Sequence, residues 1–435
     1  MELLVLLMTL GWIVLGTARL KWHPFLVLFL AATGLALALG TPLKEVLPLV
    51  NEGFGKTLSK IGLIILFGTL LGTLLERNGA TTIIALAVVR AFKRLPATYT
   101  VGFIGYLVAI PVFCDAAFVI LAPLAKGVAK RAKANPKAVV LALSTGLFAP
   151  HVLVPPTPGP LAAAAALGLE SLALLVVTGA ALALVLVLVG ARYAEVVNKT
   201  QLQDWGADLF EDAATPLAKG ALLKALIPLL LPLVLIATGT MFSAAPNAWG
   251  AVMATVSQPE AALAVGVAFA VLLPATERVE VTSAVKRSLE SGGPVLLITA
   301  MGGALGGVLK LIDVAYYFEY IALPKALVLG LPFVLAAVLK SAQGSSTVAI
   351  ITTATMMVPL LDGLGLDSEV GKVWTVLSLG VGAMTVSHAN DSYFWIVKEM
   401  GDLTAEEAFR YHTRATAFQG MAGLFLVVLS GWLVL

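Results

Sequence analysis

The segment SHANDSYFW, residues 387–395, concentrates polar side chains in an otherwise apolar part of the chain. In it, His388, Asn390 and Asp391 alternate hydrogen-bond donors and acceptors, and Asp391 directly precedes a position where a new helix can begin. An amide beside a carboxylate suits a ligand with several hydroxyl groups. The alternative is a purely structural role, because Asp is a good helix N-cap in any context.

A second polar interruption is the run PPTPGP, residues 155–160, which follows His151. Its four prolines remove backbone donors and force extended geometry, and Pro160 suits the first turn of a new helix. A helix N-terminus that faces a cavity favours an anion, with His151 and Thr157 as side-chain donors. The alternative is a kinked helix in which His151 bonds only to a neighbour.

A third candidate is the run GSST, which precedes the apolar segment VAIITTATMM. A helix that begins here gathers hydroxyls and free backbone N–H groups, which can bind carboxylate or sugar hydroxyl oxygens. The alternative is an N-cap followed by ordinary Ser/Thr helix packing. The candidate binding residues of this run are Gly344, Ser345, Ser346 and Thr347.

Asp115 lies in IPVFCDAAF, residues 110–118, between two short apolar halves. An ionisable residue at membrane depth is a functional-site hypothesis by default, commonly a proton site, although Asp115 could also be an N-cap. Asp115 and Asp391 are therefore the candidate proton carriers. Asp391 is favoured because His388 lies close to it in sequence and could titrate with it.

The elements that position these residues are expected to be membrane helices. The chain has 435 residues, of which 59% are hydrophobic and 12% charged, whereas soluble domains average about 25% charged residues. A single cysteine, Cys114, excludes an internal disulfide, and no Cys/His spacing indicates a metal site. Basic residues fall in short runs between apolar segments, which suits loops against anionic lipid and gives no case for nucleic acid.

Apolar runs of the roughly 20 residues needed to span a bilayer predict about ten crossings. Two of them, at about 137–168 and 370–399, are interrupted. Basic loops assigned to the cytoplasm place both termini outside the cell. The continuous runs lie at about 3–20, 22–40, 61–76, 171–195, 222–241, 259–276, 293–310 and 416–435.

The two halves of the chain repeat one pattern, in residues 1–195 and 222–435, joined by a cytoplasmic linker at 196–221. Each half has five crossings, one of which is the interrupted helix, and a broken hairpin that re-enters from one side. An odd number of crossings turns the second half upside down, which is the inverted-repeat plan of secondary transporters. The four interruptions are then expected to converge on one site near the bilayer midplane.

Five motifs in this order resemble the gluconate permease family of the ion-transporter superfamily: GGALGGVLK, IPVFCDAAFVILAPL, HVLVPPTPGP, GSSTVAIITTA and SHANDSYFWIVKE. The resemblance implies proton-coupled uptake of gluconate-like sugar acids across the cell membrane, with family members that take related hydroxy acids or D-serine. It also implies a homodimer of the elevator type.

The resulting prediction is a proton-coupled symporter of a small hydroxylated monocarboxylate, with no cofactor and no bound metal. A monocarboxylate is favoured because no Arg lies in the four interruptions, while Lys310 and Lys340 are expected to extend toward the membrane surface. The main alternative is a Na⁺-coupled carrier of di- or tricarboxylates. A channel, or an intramembrane hydrolase with Ser345 or Ser346 as nucleophile and His151 or His388 as base, is disfavoured.

Overall fold

The protein is described from a computed structural model. It covers residues 2–20, 22–92, 94–110, 112–200, 220–242, 248–272, 280–309, 311, 328–389 and 391–434. Within these ranges every regular element is a helix. This matches the composition, because helices satisfy their backbone hydrogen bonds internally in an apolar medium. Asn390, Lys310 and most of the predicted linker lie outside the described residues.

The first half of the chain contains nine helices among its described residues. A short π-helical turn, Leu15–Arg19, extends the first of them. The helices are α1 (Glu2–Val14), α2 (Pro24–Ala38), α3 (Leu43–Arg77), α4 (Ala80–Ala91), α5 (Ala97–Ala109), α6 (Cys114–Arg131), α7 (Pro136–Leu153), α8 (Pro158–Ala166) and α9 (Leu172–Thr200).

The regular elements in the described part of the second half are also helices. A three-residue helix, Ala405–Glu407, and a π-helix, Ala408–Thr413, precede its last helix. The longer helices are α10 (Ala221–Phe242), α11 (Ala248–Val256), α12 (Pro259–Leu272), α13 (Val281–Leu309), α14 (Gly330–Gln343), α15 (Ser346–Met357), α16 (Glu369–Met384), α17 (Ser392–Met400) and α18 (Arg414–Val434).

Two helices are longer than the apolar runs that predicted them. The run at about 61–76 is the second part of α3, which begins at Leu43 and bends by 44° between its two parts. The run at about 293–310 is the second part of α13, which begins at Val281. In both, the amphipathic segment before the apolar run continues the same helix, because polar residues that face outward do not interrupt helical geometry.

The helices α3 and α13 pack closely where they cross. Gly303 lies directly against Thr57, so that a Cβ atom at Gly303 would overlap the Thr57 side chain. Gly53 lies against the backbone of Ala304 in the same crossing. The glycines of MGGALGGVLK therefore permit close helix packing, as membrane helix interfaces commonly require.

Three helices form the centre of the molecule. Every residue of α7 from Ala138 to Leu153 is buried, as is every residue of α15 from Ala349 to Met357. In α16 the residues from Thr375 to Met384 are all buried. Helices that are apolar on all sides and buried in this way belong to a protein core, and their broken ends position the polar residues described below.

In the described part of the chain, four helical spans are long and apolar enough to cross a membrane, and five if the bent helix α3 is included. Several other apolar helices are shorter. The protein is thus an all-helical, multi-pass membrane protein. The count of ten crossings, the inverted relation of the two halves and the orientation of the termini stay predictions.

Candidate functional site

The chain leaves helical geometry at all four predicted interruptions. The breaks separate α5 from α6, α7 from α8, α14 from α15 and α16 from α17. Three of these breaks, with His151 near the end of α7, line a single cavity of about 260 Å³. The predicted site residues that line this cavity are Asp115, His151, Gly344, Ser345, Ser346, Thr347 and Asp391.

Two predicted site residues do not line the cavity. The Thr157 side chain is buried, and its hydroxyl donates to the carbonyl oxygen of Val154 at 2.5 Å, within its own turn. His388 is half-buried, and its carbonyl oxygen accepts a hydrogen bond from the backbone N–H of Asp391 at 2.8 Å. The prediction that the His388 ring titrates together with Asp391 stays a prediction.

The GSST run forms a turn between two helices at the cavity. Gly344 ends α14 with φ of 81°, a left-handed conformation that favours glycine. Ser345 is the N-cap of α15, and its hydroxyl oxygen accepts the N–H of Val348 at 3.3 Å. Ser345 is thus a helix N-cap, which was the alternative to a binding role. Ser346 and Thr347, in the first turn of α15, line the cavity.

Asp391 is the most heavily engaged of the predicted residues. Its Oδ1 accepts the N–H of Tyr393 at 3.1 Å, so it is the N-cap of α17. Its Oδ2 accepts from the Ser387 hydroxyl at 2.5 Å and lies 2.5 Å from the Lys340 Nζ. Only 3% of Asp391 is exposed. With these three donors, the Asp391 carboxyl group forms a buried ion pair with Lys340.

The position of Lys340 corrects the expectation that its side chain extends to the membrane surface. Only 1% of Lys340 is exposed, and its Nζ donates to the carbonyl oxygen of Gly344 at 2.9 Å. Lys340 lies in the last turn of α14, where a long cationic side chain can turn back onto the final carbonyl groups. The sequence argument considered only Arg in the four interruptions, and it therefore missed the cationic side chain of Lys340 beside the cavity.

His412 is a further buried residue that the sequence did not single out. Its Nδ1 lies 2.8 Å from the Ser144 hydroxyl, and its Nε2 lies 3.1 Å from the Ser387 hydroxyl. Ser387 in turn donates to Asp391, so a chain of polar groups connects α7, the π-helix and the cavity. His412 stands among basic residues before the last apolar run, a pattern typical of an exposed loop.

His151 is 6% exposed, and its Nδ1 has no hydrogen-bond partner in the part of the chain that the structure describes. Its ring packs against Phe113, with ring centroids 6.0 Å apart. Buried polar atoms are rarely left unsatisfied, so an unpaired ring nitrogen beside a cavity is a candidate ligand contact.

The N-termini of three helices meet at the cavity, namely those of α6, α15 and α17. Ser345 caps α15 and Asp391 caps α17, whereas the N-cap residue of α6, Phe113, gives no side-chain hydrogen bond. Each N-terminus carries a partial positive charge from the helix dipole. These N-termini favour an anion in the cavity. The Lys340 ammonium adds no net charge as the site stands, because it is paired with Asp391, and Asp115 is a further carboxyl group in the lining.

The fold and this cavity define a multi-pass membrane protein with a polar cavity between broken helices. The family model described as "GntP family permease" matches residues 1–433. The chain therefore belongs to the GntP permease family. The named members are permeases and transporters, so the protein is a transporter of this family and not an enzyme.

Similar proteins cover almost the whole chain. A gluconate permease of Pseudomonas aeruginosa is 31% identical, over 96% of this chain and 95% of the relative. The D-serine transporter DsdX of Escherichia coli O6:H1 is 28% identical, over 97% of each chain. The crystal structure of the YdaH transporter of Alcanivorax borkumensis matches with a TM-score of 0.68 at 16% identity, covering 94% of this chain and 98% of that chain, which supports the fold alone.

Proposed function

We propose that the protein is a secondary active transporter of the inner membrane that moves a small hydroxylated monocarboxylate, such as gluconate or a related sugar acid, together with protons. The observation that carries this proposal is the cavity in which three helix N-termini, a buried ion pair and the His151 Nδ1 meet, and this nitrogen has no hydrogen-bond partner among the described residues. Hydrogen-bond donors and helix dipoles in such a cavity replace the water molecules that an anion loses when it is buried.

The charges at the cavity support a ligand with one carboxylate. Among the described residues, Lys340 is the cation at the cavity wall, and it is balanced by Asp391 at 2.5 Å. Asp115 adds a further carboxyl group to the lining. A second carboxylate on the ligand would lack a matching positive charge and would be costly to bury. The hydroxyl of Ser346 and the polar groups of Thr347 can bond the hydroxyl groups of a sugar acid.

The names of the relatives fit this chemical class. One relative is named a gluconate permease and another a D-serine transporter. Gluconate and D-serine are both small, and each carries one carboxylate and at least one hydroxyl group. The same type of cavity could therefore bind either, and the family relationship alone does not choose between them.

Proton coupling is favoured over sodium coupling by one contact. A sodium ion at the GSST turn would need carbonyl and hydroxyl oxygens as ligands. The Gly344 carbonyl oxygen already accepts from the Lys340 ammonium at 2.9 Å, and the Ser345 hydroxyl caps α15. A cation placed there would meet the positive charge of Lys340. A proton needs no such oxygen cage, because it binds directly to a carboxylate, at Asp391 or Asp115.

Uptake into proteoliposomes tests the proposal. We expect liposomes with purified protein to accumulate labelled gluconate when the outside is made acidic, and a protonophore to abolish the accumulation. A sodium gradient at equal pH on both sides is the control and should drive no accumulation. Uptake that needs sodium and ignores the protonophore would contradict proton coupling, and transport of citrate in preference to gluconate would contradict the monocarboxylate assignment.

A further inference from the structure

The Lys340–Asp391 pair lies at the wall of the cavity. Asp391 lines the cavity, whereas Lys340 does not, and the Lys340 Nζ contacts two of the lining residues, Asp391 and Gly344. Both acceptors of the Lys340 Nζ in the described structure, Asp391 Oδ2 and the Gly344 carbonyl oxygen, thus belong to residues at the cavity surface. An ammonium group has three donors, so it can keep the carbonyl while it exchanges one carboxylate for another.

Charge balance links this pair to a proton. As the site stands, the ammonium and the carboxylate neutralise each other at 2.5 Å. A substrate anion that enters alone would add an uncompensated negative charge beside Asp391, which is unfavourable in a buried site. If Asp391 binds a proton, the positive charge of Lys340 becomes available to the substrate carboxylate, and the site is neutral again.

We propose that Lys340 exchanges partners during transport: the substrate carboxylate takes the place of Asp391 at the Lys340 ammonium, and Asp391 leaves with a proton bound. This inference rests on the proposed function and deepens it, because it assigns both the anchor of the substrate and the acceptor of the proton. One proton is bound for each monocarboxylate. Atoms and charges balance, since the proton comes from water on the side from which the substrate enters.

Other groups face Asp391 from the neighbouring helices. Asp115 and the Cys114 thiol lie on α6, His151 lies on α7, and Tyr393 follows Asp391 on α17. His412 is joined to Asp391 through the Ser387 hydroxyl. Within the described residues, the carboxylate paired with the Lys340 ammonium is that of Asp391. The exchange therefore assigns the coupled proton to Asp391 and leaves the other groups to tune its affinity.

The test compares gluconate binding by four forms of the full-length protein in detergent, over a series of pH values around neutrality. The forms are the wild type, Asp391→Asn, Lys340→Gln and the double variant Lys340→Gln/Asp391→Asn. A matched control is Asp402→Asn, which removes the partner of Lys126 in an ion pair of 2.5 Å outside the cavity. The double variant is included because removing both partners of a buried pair avoids leaving one unpaired charge.

In the wild type, binding of one proton with each anion makes the gluconate Kd rise with pH, approaching about tenfold for each pH unit. Asp391→Asn is permanently neutral, so its Kd should not vary with pH and should equal the value of the wild type at low pH. The double variant should bind gluconate at least about tenfold more weakly than Asp391→Asn, since it lacks the cation. Asp402→Asn should behave as the wild type.

Two results would overturn the exchange. One is a Kd of Asp391→Asn that still rises with pH as in the wild type, which would leave proton coupling intact but assign it to another group. The other is a double variant, folded by its melting profile, that binds gluconate as tightly as Asp391→Asn. A wild type whose Kd is independent of pH would instead contradict proton coupling itself, and a wild type that binds no gluconate would contradict the substrate class.

Discussion

At the residue scale, neighbouring hydroxyls at the GSST turn have different roles. Ser345 accepts the N–H of Val348 and is committed to capping α15. Ser346 is 7% exposed and lines the cavity at the first position of the helix, where its hydroxyl is available to a ligand. A ligand hydroxyl would thus meet Ser346, whereas a change at Ser345 would act mainly on the stability of the helix.

We expect Ser346→Ala to weaken gluconate binding with little change in thermal stability. A buried ligand hydrogen bond that is left unmade costs about 1–3 kcal/mol, or roughly 5- to 150-fold in Kd. The control is Thr353→Val on the same helix, because the Thr353 hydroxyl is buried with no partner among the described residues. Binding by purified variants measures the difference, and equal affinities in Ser346→Ala and the wild type would show that the turn is structural.

The residues of the site were predictable from the sequence only in part. Polarity inside apolar segments identified Asp115, His151 and Ser346, because membrane interiors exclude polar groups without a role. Lys340 and His412 could not be recognised in this way. Both residues lie next to apolar segments, among residues typical of helix ends or loops. Helix packing brings Lys340 into contact with Asp391 and connects His412 to Asp391 through Ser387.

At the element scale, the breaks in the helices were predictable and the helix lengths were not. The proline run between α7 and α8 and the Gly-Ser turn between α14 and α15 are local signals that act through backbone geometry. The long amphipathic beginnings of α3 and α13 contain polar residues, so hydropathy alone ends these helices too early. Their close crossing depends on side chains far apart in the sequence.

The crossing of α3 and α13 gives a prediction for stability. A methyl group at Gly303 would overlap the Cβ of Thr57, which no change of side-chain rotamer can move away. Gly303→Ala should therefore lower the melting temperature, with an overpacking cost of about 1–3 kcal/mol. Gly293→Ala on the same helix has open space around its Cβ and should be neutral or stabilising. Equal melting temperatures for the two variants would contradict this packing.

At the scale of the whole molecule, two cavities lie at opposite ends of α15. The proposed site is at its N-terminus, and a cavity of about 440 Å³ lies at its C-terminal end between α3, α8 and α13. The second cavity is larger, but its charged residues, Glu52 and Lys56, pair with each other and are largely exposed. Charge and burial, not volume, are therefore the reasons for proposing the first cavity as the binding site.

The relation of the two halves and the oligomeric state were the hardest features to predict from the sequence. Repeated motifs predict two inverted halves, and the family resemblance implies a homodimer, yet neither follows from the periodicity of a single helix. The helix α2 has 15 residues, fewer than the roughly 20 that a span needs, although the apolar run at about 22–40 predicts a crossing there. The inverted repeat and the homodimer stay predictions.

The most direct measurement is an experimental structure of the full-length protein with the sugar acid that stabilises it most in a thermal-shift screen. We expect the ligand to lie in the cavity of about 260 Å³ at the N-terminus of α15, with its hydroxyl groups in hydrogen-bond reach of His151 or Ser346. A ligand bound instead in the cavity beside Glu52 and Lys56, with the first cavity empty, would contradict this expectation.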